Sequence, residues 1–127
     1  MKTIDKEEVL SLHASLIEES GGIYGIRDEN SLESALNAPF QSFDGRDLYP
    51  TTITKIVRLG YGLVKNHPFV DGNKRIGLHV MLAYFLLNHI SLKYEDEEMR
   101  DEILHVADGT VNYREFLLWV CEHIDFK

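Results

Sequence analysis

The sequence is almost without cysteine, because Cys121 is the only one among 127 residues. One cysteine cannot form a disulfide within the chain, so nothing points to an oxidising compartment. Long apolar runs are missing as well: the longest, Val80 to Leu87, is far shorter than the roughly 20 residues that a membrane span needs. Met1 to Asp5 lack the apolar segment of a signal peptide. We therefore expect a cytoplasmic protein without a membrane partner.

Positive charge is also scarce, since 13 Lys and Arg face 21 Asp and Glu and the net charge is −8. This balance argues against direct binding of nucleic acid, whose phosphates select strongly basic surfaces. The few cations are unevenly spread along the chain. Five of them share a window with a single acid, Asp71, and we expect them to gather around it: Lys55, Arg58, Lys65, Lys74 and Arg75.

Apolar residues recur at helical spacing through most of the chain, and the length suits one domain over residues 1–127. Three predicted helices start with a capping residue that is followed three positions later by Glu, at Asp5, Asn30 and Asn112. The segment Ile76 to Asn88 is apolar on nearly all sides, which is typical of a central helix, and Gly77 favours a close helix crossing. We predict an all-α fold, a compact bundle of about six helices.

Two segments without a helical period and one histidine are first given a structural interpretation. Residues 40–49 show no clear period, and we predict an ordered surface loop there. Residues 90–94 alternate briefly, but we expect no strand because a lone strand would have no partner. His13 lies on the apolar stripe of the first helix, so we expect a hydrogen-bonded core histidine rather than a ligand. The six histidines show no metal-ligand spacing, which argues against a metal hydrolase.

One stretch of nine residues between two predicted helices carries most of the reactive groups. This His67–Arg75 loop reads His-Pro-Phe-Val-Asp-Gly-Asn-Lys-Arg. Pro68 must end the preceding helix and disfavours the right-handed conformation for His67, so we expect His67 to be extended. Phe69 is the large apolar side chain that would anchor the loop in the core. Gly72 indicates a turn, and Asn73 can cap the helix that follows.

These groups suit phosphoryl or nucleotidyl transfer to a hydroxyl. The free N–H groups at a helix start, together with Lys74 and Arg75, make a positive site for phosphate. Asp71 is suited to hold a Mg²⁺ ion that bridges phosphate oxygens. His67, with an ordinary pKa of about 6.5, is suited to act as a general base. A plain interhelical loop would need neither the histidine nor the paired cations.

The loop resembles the signature of Fic-domain proteins, His-Pro-Phe-x-Asp/Glu-Gly-Asn-Gly/Lys-Arg, and the lysine at Lys74 is similar to the Doc (death-on-curing) branch. Further resemblance lies in residues 25–28, 32–36, 47–51 and 61–66, so that the similarity runs from about Thr3 to Val120. It implies a Fic/Doc-like helical bundle with the active-site loop at the N-terminus of a buried central helix.

The resemblance also implies a reaction. Fic proteins typically transfer AMP from ATP to a protein hydroxyl and carry a second arginine where this chain has Leu78. Doc-like proteins share the leucine and the lysine, bind ATP in the reverse sense and phosphorylate a threonine of elongation factor Tu, which blocks translation. We therefore expect a toxin of a type II toxin-antitoxin system, with ATP and Mg²⁺ as cofactors and a Phd-like antitoxin as partner. AMP transfer is the alternative, and an inactive module that only binds the antitoxin is a second one.

The resemblance assigns a role to each residue of the loop. His67 would be the base, Asp71 the metal ligand and Phe69 the anchor. A covering segment in the Fic family positions the protein substrate, which makes residues 40–49 a candidate target-binding loop; its alternative is a mere connection with inward aromatics. The phosphate-binding residues would be Gly72, Asn73, Lys74 and Arg75, and the target-binding residues Phe43, Arg46 and Tyr49.

Overall fold

Six α-helices form within residues 5–126, the part of the chain that the computed structural model describes. The all-α bundle expected from the sequence is confirmed. Met1–Ile4, where no signal peptide was expected, lie outside the described residues, as does Lys127. Within the described chain, no helix has the length and apolarity to cross a membrane. The helices are α1 Lys6–Ser20, α2 Glu29–Asn37, α3 Thr52–Asn66, α4 Asn73–Leu87, α5 Asp96–Asp108 and α6 Tyr113–Glu122.

Helices α3 and α4 cross at the centre of the core, and two glycines set their distance. A Cβ on Gly77 would collide with Val64 Cγ2 and lie 3.0 Å from the carbonyl oxygen of Gly60. The close crossing predicted at Gly77 is therefore confirmed. One face of α4, which includes Ile76, Val80 and Phe85, is buried in the core, whereas the last turn leaves Leu86 73 % exposed.

Short strands occupy two segments that were expected to hold none. Strands β1 Ser42–Phe43 and β2 Arg46–Asp47 form an antiparallel hairpin whose turn places two residues at positive φ, so the loop predicted for residues 40–49 is more regular than expected. Strand β3 Ser91–Leu92 pairs with β4 Ile124–Asp125, so the prediction of an unpaired segment was wrong. The partner strand could not be predicted because it has only two residues and follows closely on α6, which ends at Glu122.

The predicted helix caps form at Asp5 and Asn112 but not at Asn30. The Asp5 carboxylate accepts a hydrogen bond from the Glu8 N–H, and Asn112 caps α6. At α2, however, the cap is Asp28 and not Asn30. The Asp28 carboxylate accepts hydrogen bonds from the Asn30 and Ser31 N–H groups at 3.0 and 3.3 Å. The Asp28 N–H donates to the Pro68 carbonyl, and the Asp28 backbone is extended. The first helical residue is therefore the one after Asp28, which is Glu29.

Candidate active site

His67 ends α3 in an unusual backbone conformation. Its φ of 49° and ψ of 54° lie in the left-handed region, so the predicted extended conformation was wrong. Pro68 disfavours the right-handed region for the residue before it, but this leaves the left-handed region open. Arg27 selects it by bonding the carbonyls at the end of the helix: its Nε donates to His67 O at 2.6 Å and its Nη2 to Asn66 O at 3.0 Å.

Phe69 holds the middle of the His67–Arg75 loop in the core. Its side chain is 1 % exposed and stacks on the His13 ring, with the centroids 3.8 Å apart and the planes 10° from parallel. The Asn73 side chain binds the Phe69 backbone twice, accepting from its N–H at 2.9 Å and donating to its carbonyl at 3.0 Å. Both backbone groups of this buried residue are thereby satisfied.

Helix α4 consequently starts without the predicted cap. Asn73 is the first helical residue, Gly72 precedes it at a φ of 79°, and no side chain of the described residues caps this end. The prediction that Asn73 caps α4 was wrong, because its amide is used on Phe69. The first N–H groups of α4 have no intrahelical partner by geometry, and here no side chain takes their place. Free N–H groups at a helix start can bind an anion, and Lys74 and Arg75 lie beside these.

The Asp71 carboxylate is bound by backbone N–H groups from two segments. Its Oδ1 accepts from Gly72 N at 2.9 Å, and its Oδ2 accepts from Ile23 N at 3.2 Å. The segment after α1 also binds the last cation of the loop, since Arg75 Nη1 donates to the Gly21 carbonyl at 3.0 Å. Arg75 Nη2 lies 4.0 Å from Asp71 Oδ1. Residues 21–23 therefore form one wall of the site.

The residues present suit a magnesium ion that arrives with a nucleotide. Among the described residues, no cluster of three His, Cys, Asp or Glu side chains could hold a metal by itself. Asp71 is a single, half-buried carboxylate beside uncapped N–H groups and an arginine. Mg²⁺ typically binds through one or two carboxylates and completes its shell with water and phosphate oxygens. Asp71 is the residue that would hold it.

Charge and partial burial shape the chemistry of His67. Although much of the side chain is exposed, partial burial lowers the pKa of His67 below its ordinary value of 6.5, and the charges of Lys74, Arg27 and Lys65 lower this pKa further. All four effects disfavour the protonated imidazole. The lowered pKa of His67 favours the neutral imidazole, which is the form that a general base requires.

The residues predicted to bind the target do not all share one environment. Phe43 is 77 % exposed on the β1–β2 hairpin, and Arg46 is exposed beside it. Tyr49 is instead half-buried: its hydroxyl accepts a hydrogen bond from Arg58 Nε at 3.0 Å, and its ring packs edge-on against Tyr113 at 5.2 Å. The inward alternative thus describes Tyr49, while Phe43 and Arg46 are free to meet a partner.

Two of the five cations expected at the loop serve the hairpin region instead. Lys55 Nζ donates to the Tyr49 carbonyl and pairs with Asp47 at 3.4 Å. The Arg58 guanidinium lies 5.7 Å from the Tyr49 ring centroid. The expectation that all five gather around Asp71 was therefore wrong. Helix α3 is 15 residues long, so it places its first turns far from its C-terminal end.

Two residues outside the loop contribute more than the sequence indicated. Arg27 was part of a segment noted only for its resemblance, which was the signal available for it. His13 was expected to be a hydrogen-bonded core histidine, and this is confirmed: it is 3 % exposed, and its Nε2 lies 2.7 Å from the carbonyl oxygen of Asp71. Its acceptor, however, belongs to the loop.

Comparison with known proteins agrees with this arrangement. Residues 3–85 match the model of the Fic/DOC family, a range that includes the whole His67–Arg75 loop. The chain is 31 % identical over 101 residues to a protein named Toxin Doc from Mycolicibacterium smegmatis, covering 80 % of this chain and 75 % of the relative. It is 27 % identical over 115 residues to Protein kinase doc from Escherichia phage P1, covering 88 % and 87 %. The chain belongs to the Fic/DOC family, and the resemblance seen in the sequence is confirmed.

Proposed function

We propose that this chain is the toxin of a type II toxin-antitoxin pair and acts as a protein kinase. It transfers the γ-phosphate of ATP to a Ser or Thr hydroxyl of a protein, with elongation factor Tu as the expected target, and so blocks translation in the cytoplasm. The observation that carries the proposal is the convergence of a neutral imidazole, a carboxylate and an uncapped helix start within one turn. The names of the two relatives support it.

Each residue of the loop has a defined task in this reaction. His67 accepts the proton of the attacking hydroxyl, the oxygen of which forms a bond to the γ-phosphorus while the bond to the β–γ bridging oxygen breaks and ADP leaves. Asp71 would hold Mg²⁺, which supplies charge neutralisation when bound. The Asn73 N–H, with Lys74 and Arg75, would bind the phosphates. Gly72, whose N–H donates to Asp71 Oδ1, would let the phosphates approach the backbone because it has no Cβ.

Two side chains favour transfer of the terminal phosphate over transfer of AMP. Leu78 stands where Fic proteins carry a second arginine, and it is an apolar side chain packed against the core, so it cannot hold the outer phosphates. Lys74 is exposed and adds a positive charge at the start of α4. Without the second arginine, the positive site lies beside Asp71, and the γ-phosphate, which carries more negative charge than the α- or β-phosphate, is the group most strongly attracted to it.

The partner that fits this proposal is a Phd-like antitoxin. Helix α1 and the segment after it bind the loop directly through His13 and Gly21, so we do not expect the partner to dock between them. An inhibiting partner would therefore cover the exposed side of the site, where His67 and Lys74 face solvent. A Phd-like partner that masks these two residues would block both the base and the phosphate site.

Labelled ATP tests the reaction. The protein is incubated with elongation factor Tu, Mg²⁺ and ATP labelled on either the α- or the γ-phosphate, and the label retained on the target is measured. We expect the γ label alone, and its loss in Arg75→Ala, because the charge that neutralises the transferring group is removed. Arg114→Ala, an exposed arginine on α6, is the control and should keep full activity.

The other outcomes point to the alternatives. Retention of the α label would show AMP transfer on the same site. No label of either kind from a folded protein would leave a module that only binds its antitoxin.

A further inference from the structure

His13 is the sole buried polar side chain among the described residues, and it bonds to the backbone of the site. It lies in α1, 58 residues before Asp71, with its Nε2 2.7 Å from the Asp71 carbonyl oxygen. A carbonyl can only accept, so Nε2 carries the proton and donates. Phe69 stacks on the imidazole and fixes the plane of the ring.

The bonded carbonyl belongs to the peptide unit that also orients the carboxylate. In one peptide plane, the carbonyl of Asp71 and the N–H of Gly72 point in opposite directions. His13 binds the carbonyl end, and the Gly72 N–H at the other end donates to Asp71 Oδ1 at 2.9 Å. The hydrogen bond from His13 to the Asp71 carbonyl therefore also fixes the direction in which the Gly72 N–H points.

This peptide needs such a restraint because the residue after it is a glycine. Gly72 has a φ of 79°, and glycine passes between positive and negative φ without the steric barrier of a Cβ. Rotation of the Asp71–Gly72 peptide would turn the N–H away from Asp71 Oδ1 and leave the carboxylate bound only through Ile23. Rotation would also break the bond from His13 to the part-buried Asp71 carbonyl and leave the donor of a buried histidine unpaired, so this bond opposes the rotation.

We propose that His13 is a positioning residue, which locks the Asp71–Gly72 peptide and thereby presents the Asp71 carboxylate to Mg²⁺. The inference rests on the proposed function, in which Asp71 is the metal ligand. His13 does not itself reach the reacting atoms: its ring is buried and its bonding nitrogen faces a backbone carbonyl.

Two substitutions separate the donor from the ring. His13→Gln keeps an amide N–H donor at about the reach of Nε2 and loses the stacked ring, whereas His13→Phe keeps a ring against Phe69 and loses the donor. Val9→Ala, a truncation of a fully buried residue one turn earlier in α1, reports the effect of destabilising this helix alone. All three variants are checked for folding by circular dichroism.

The readout is the Mg²⁺ dependence of phosphate transfer. In His13→Phe, we expect the Mg²⁺ concentration for half-maximal rate to rise about 10-fold or more, as when a partner that orients a metal ligand is removed, with the maximal rate changed less. For His13→Gln and Val9→Ala, we expect the Mg²⁺ concentration for half-maximal rate to stay close to that of the wild-type protein. A folded His13→Phe with an unchanged Mg²⁺ dependence would overturn the proposal. An equal rise in His13→Gln would also overturn it, because the ring and not the donor would then matter.

A second readout needs neither ATP nor turnover. Hydrogen exchange of the Gly72 amide, followed by NMR on the free protein, should accelerate in His13→Phe and stay slow in His13→Gln. If the wild-type protein transfers no phosphate, the proposed function fails, and this exchange pattern still decides whether His13 locks the peptide. Equal exchange of the Gly72 amide in all variants would refute the lock whatever the activity.

Discussion

Replacing His67 by glycine and by alanine separates the chemistry of the imidazole from the strain of the backbone. Both substitutions remove the proposed base, so both should abolish phosphate transfer and relieve growth arrest. In the folded protein they differ in one respect: alanine keeps a Cβ in the left-handed region, at a φ of 49°, and glycine does not. The bonds from Arg27 go to backbone carbonyls, so neither substitution removes them.

The expected difference in stability follows from two opposing terms. A residue with a Cβ pays roughly 1–2 kcal/mol in the left-handed conformation, which glycine avoids. Glycine loses about 0.4–1 kcal/mol through the greater freedom of its unfolded chain. The glycine variant should therefore have the larger free energy of unfolding, by about 0.5–1 kcal/mol. The sign is unusual, because glycine is normally the less stable choice.

Urea denaturation followed by far-ultraviolet circular dichroism measures this difference through the midpoints, provided that the slope is unchanged. The same pair of substitutions at Arg100, an exposed position inside α5, is the matched control, and there alanine should be the more stable by about 1 kcal/mol. If alanine were the more stable residue at position 67 as well, His67 would not be left-handed. A folded, fully toxic His67→Ala protein would refute its role as the base.

Three further predictions concern the same site. Asp71→Asn keeps the shape of the side chain but loses its charge, so phosphate transfer should fall steeply and recover partly at high Mg²⁺; unchanged activity at every Mg²⁺ concentration would place the metal elsewhere. Gly22→Ala should reduce transfer far more than Gly21→Ala, since both have positive φ but only the Cβ on Gly22 would lie 2.7 Å from Asp71 Oδ2; equal losses in an activity assay would contradict this contact. Arg27→Gln removes one of the charges that lower the pKa of His67, so the acid limb of the pH–rate profile should move up towards 6.5, and no such move is expected in Arg27→Lys.

Much of the fold could be predicted because helices are local. The period of apolar residues and the capping pairs at Asp5 and Asn112 fix where α1 and α6 begin from a few neighbouring residues. Pairing of β3 with β4 is different, since each strand has two residues and they meet across more than 30 positions of the chain. Two residues cannot display a period, and their pairing depends on where α4, α5 and α6 come to rest.

The reactive groups of the site could be predicted for a related reason: they are adjacent in the sequence, so one turn must bring them together. Their conformations could not. Pro68 disfavours the right-handed backbone region for His67 but does not distinguish between the extended and the left-handed regions. The left-handed conformation is stabilised by Arg27, which lies 40 residues earlier in the chain. Asn73 is a residue type that commonly caps helices, but here its side-chain amide bonds both backbone groups of the buried Phe69 instead.

The bonds that shape this site run from side chains to backbone carbonyls, and this explains why the sequence conceals them. Arg27, His13, Asn73 and Arg75 each donate to a carbonyl that any residue at the accepting position would present. A sequence can mark the donor but never the acceptor. It follows that, for each of these hydrogen bonds, replacing the donor residue should have a larger effect than replacing the residue whose carbonyl accepts. Replacing the donor residue removes a hydrogen bond from a buried or strained part of the loop. Replacing the residue that carries the carbonyl keeps the hydrogen bond, so the effect of that substitution depends only on the contacts of the replaced side chain.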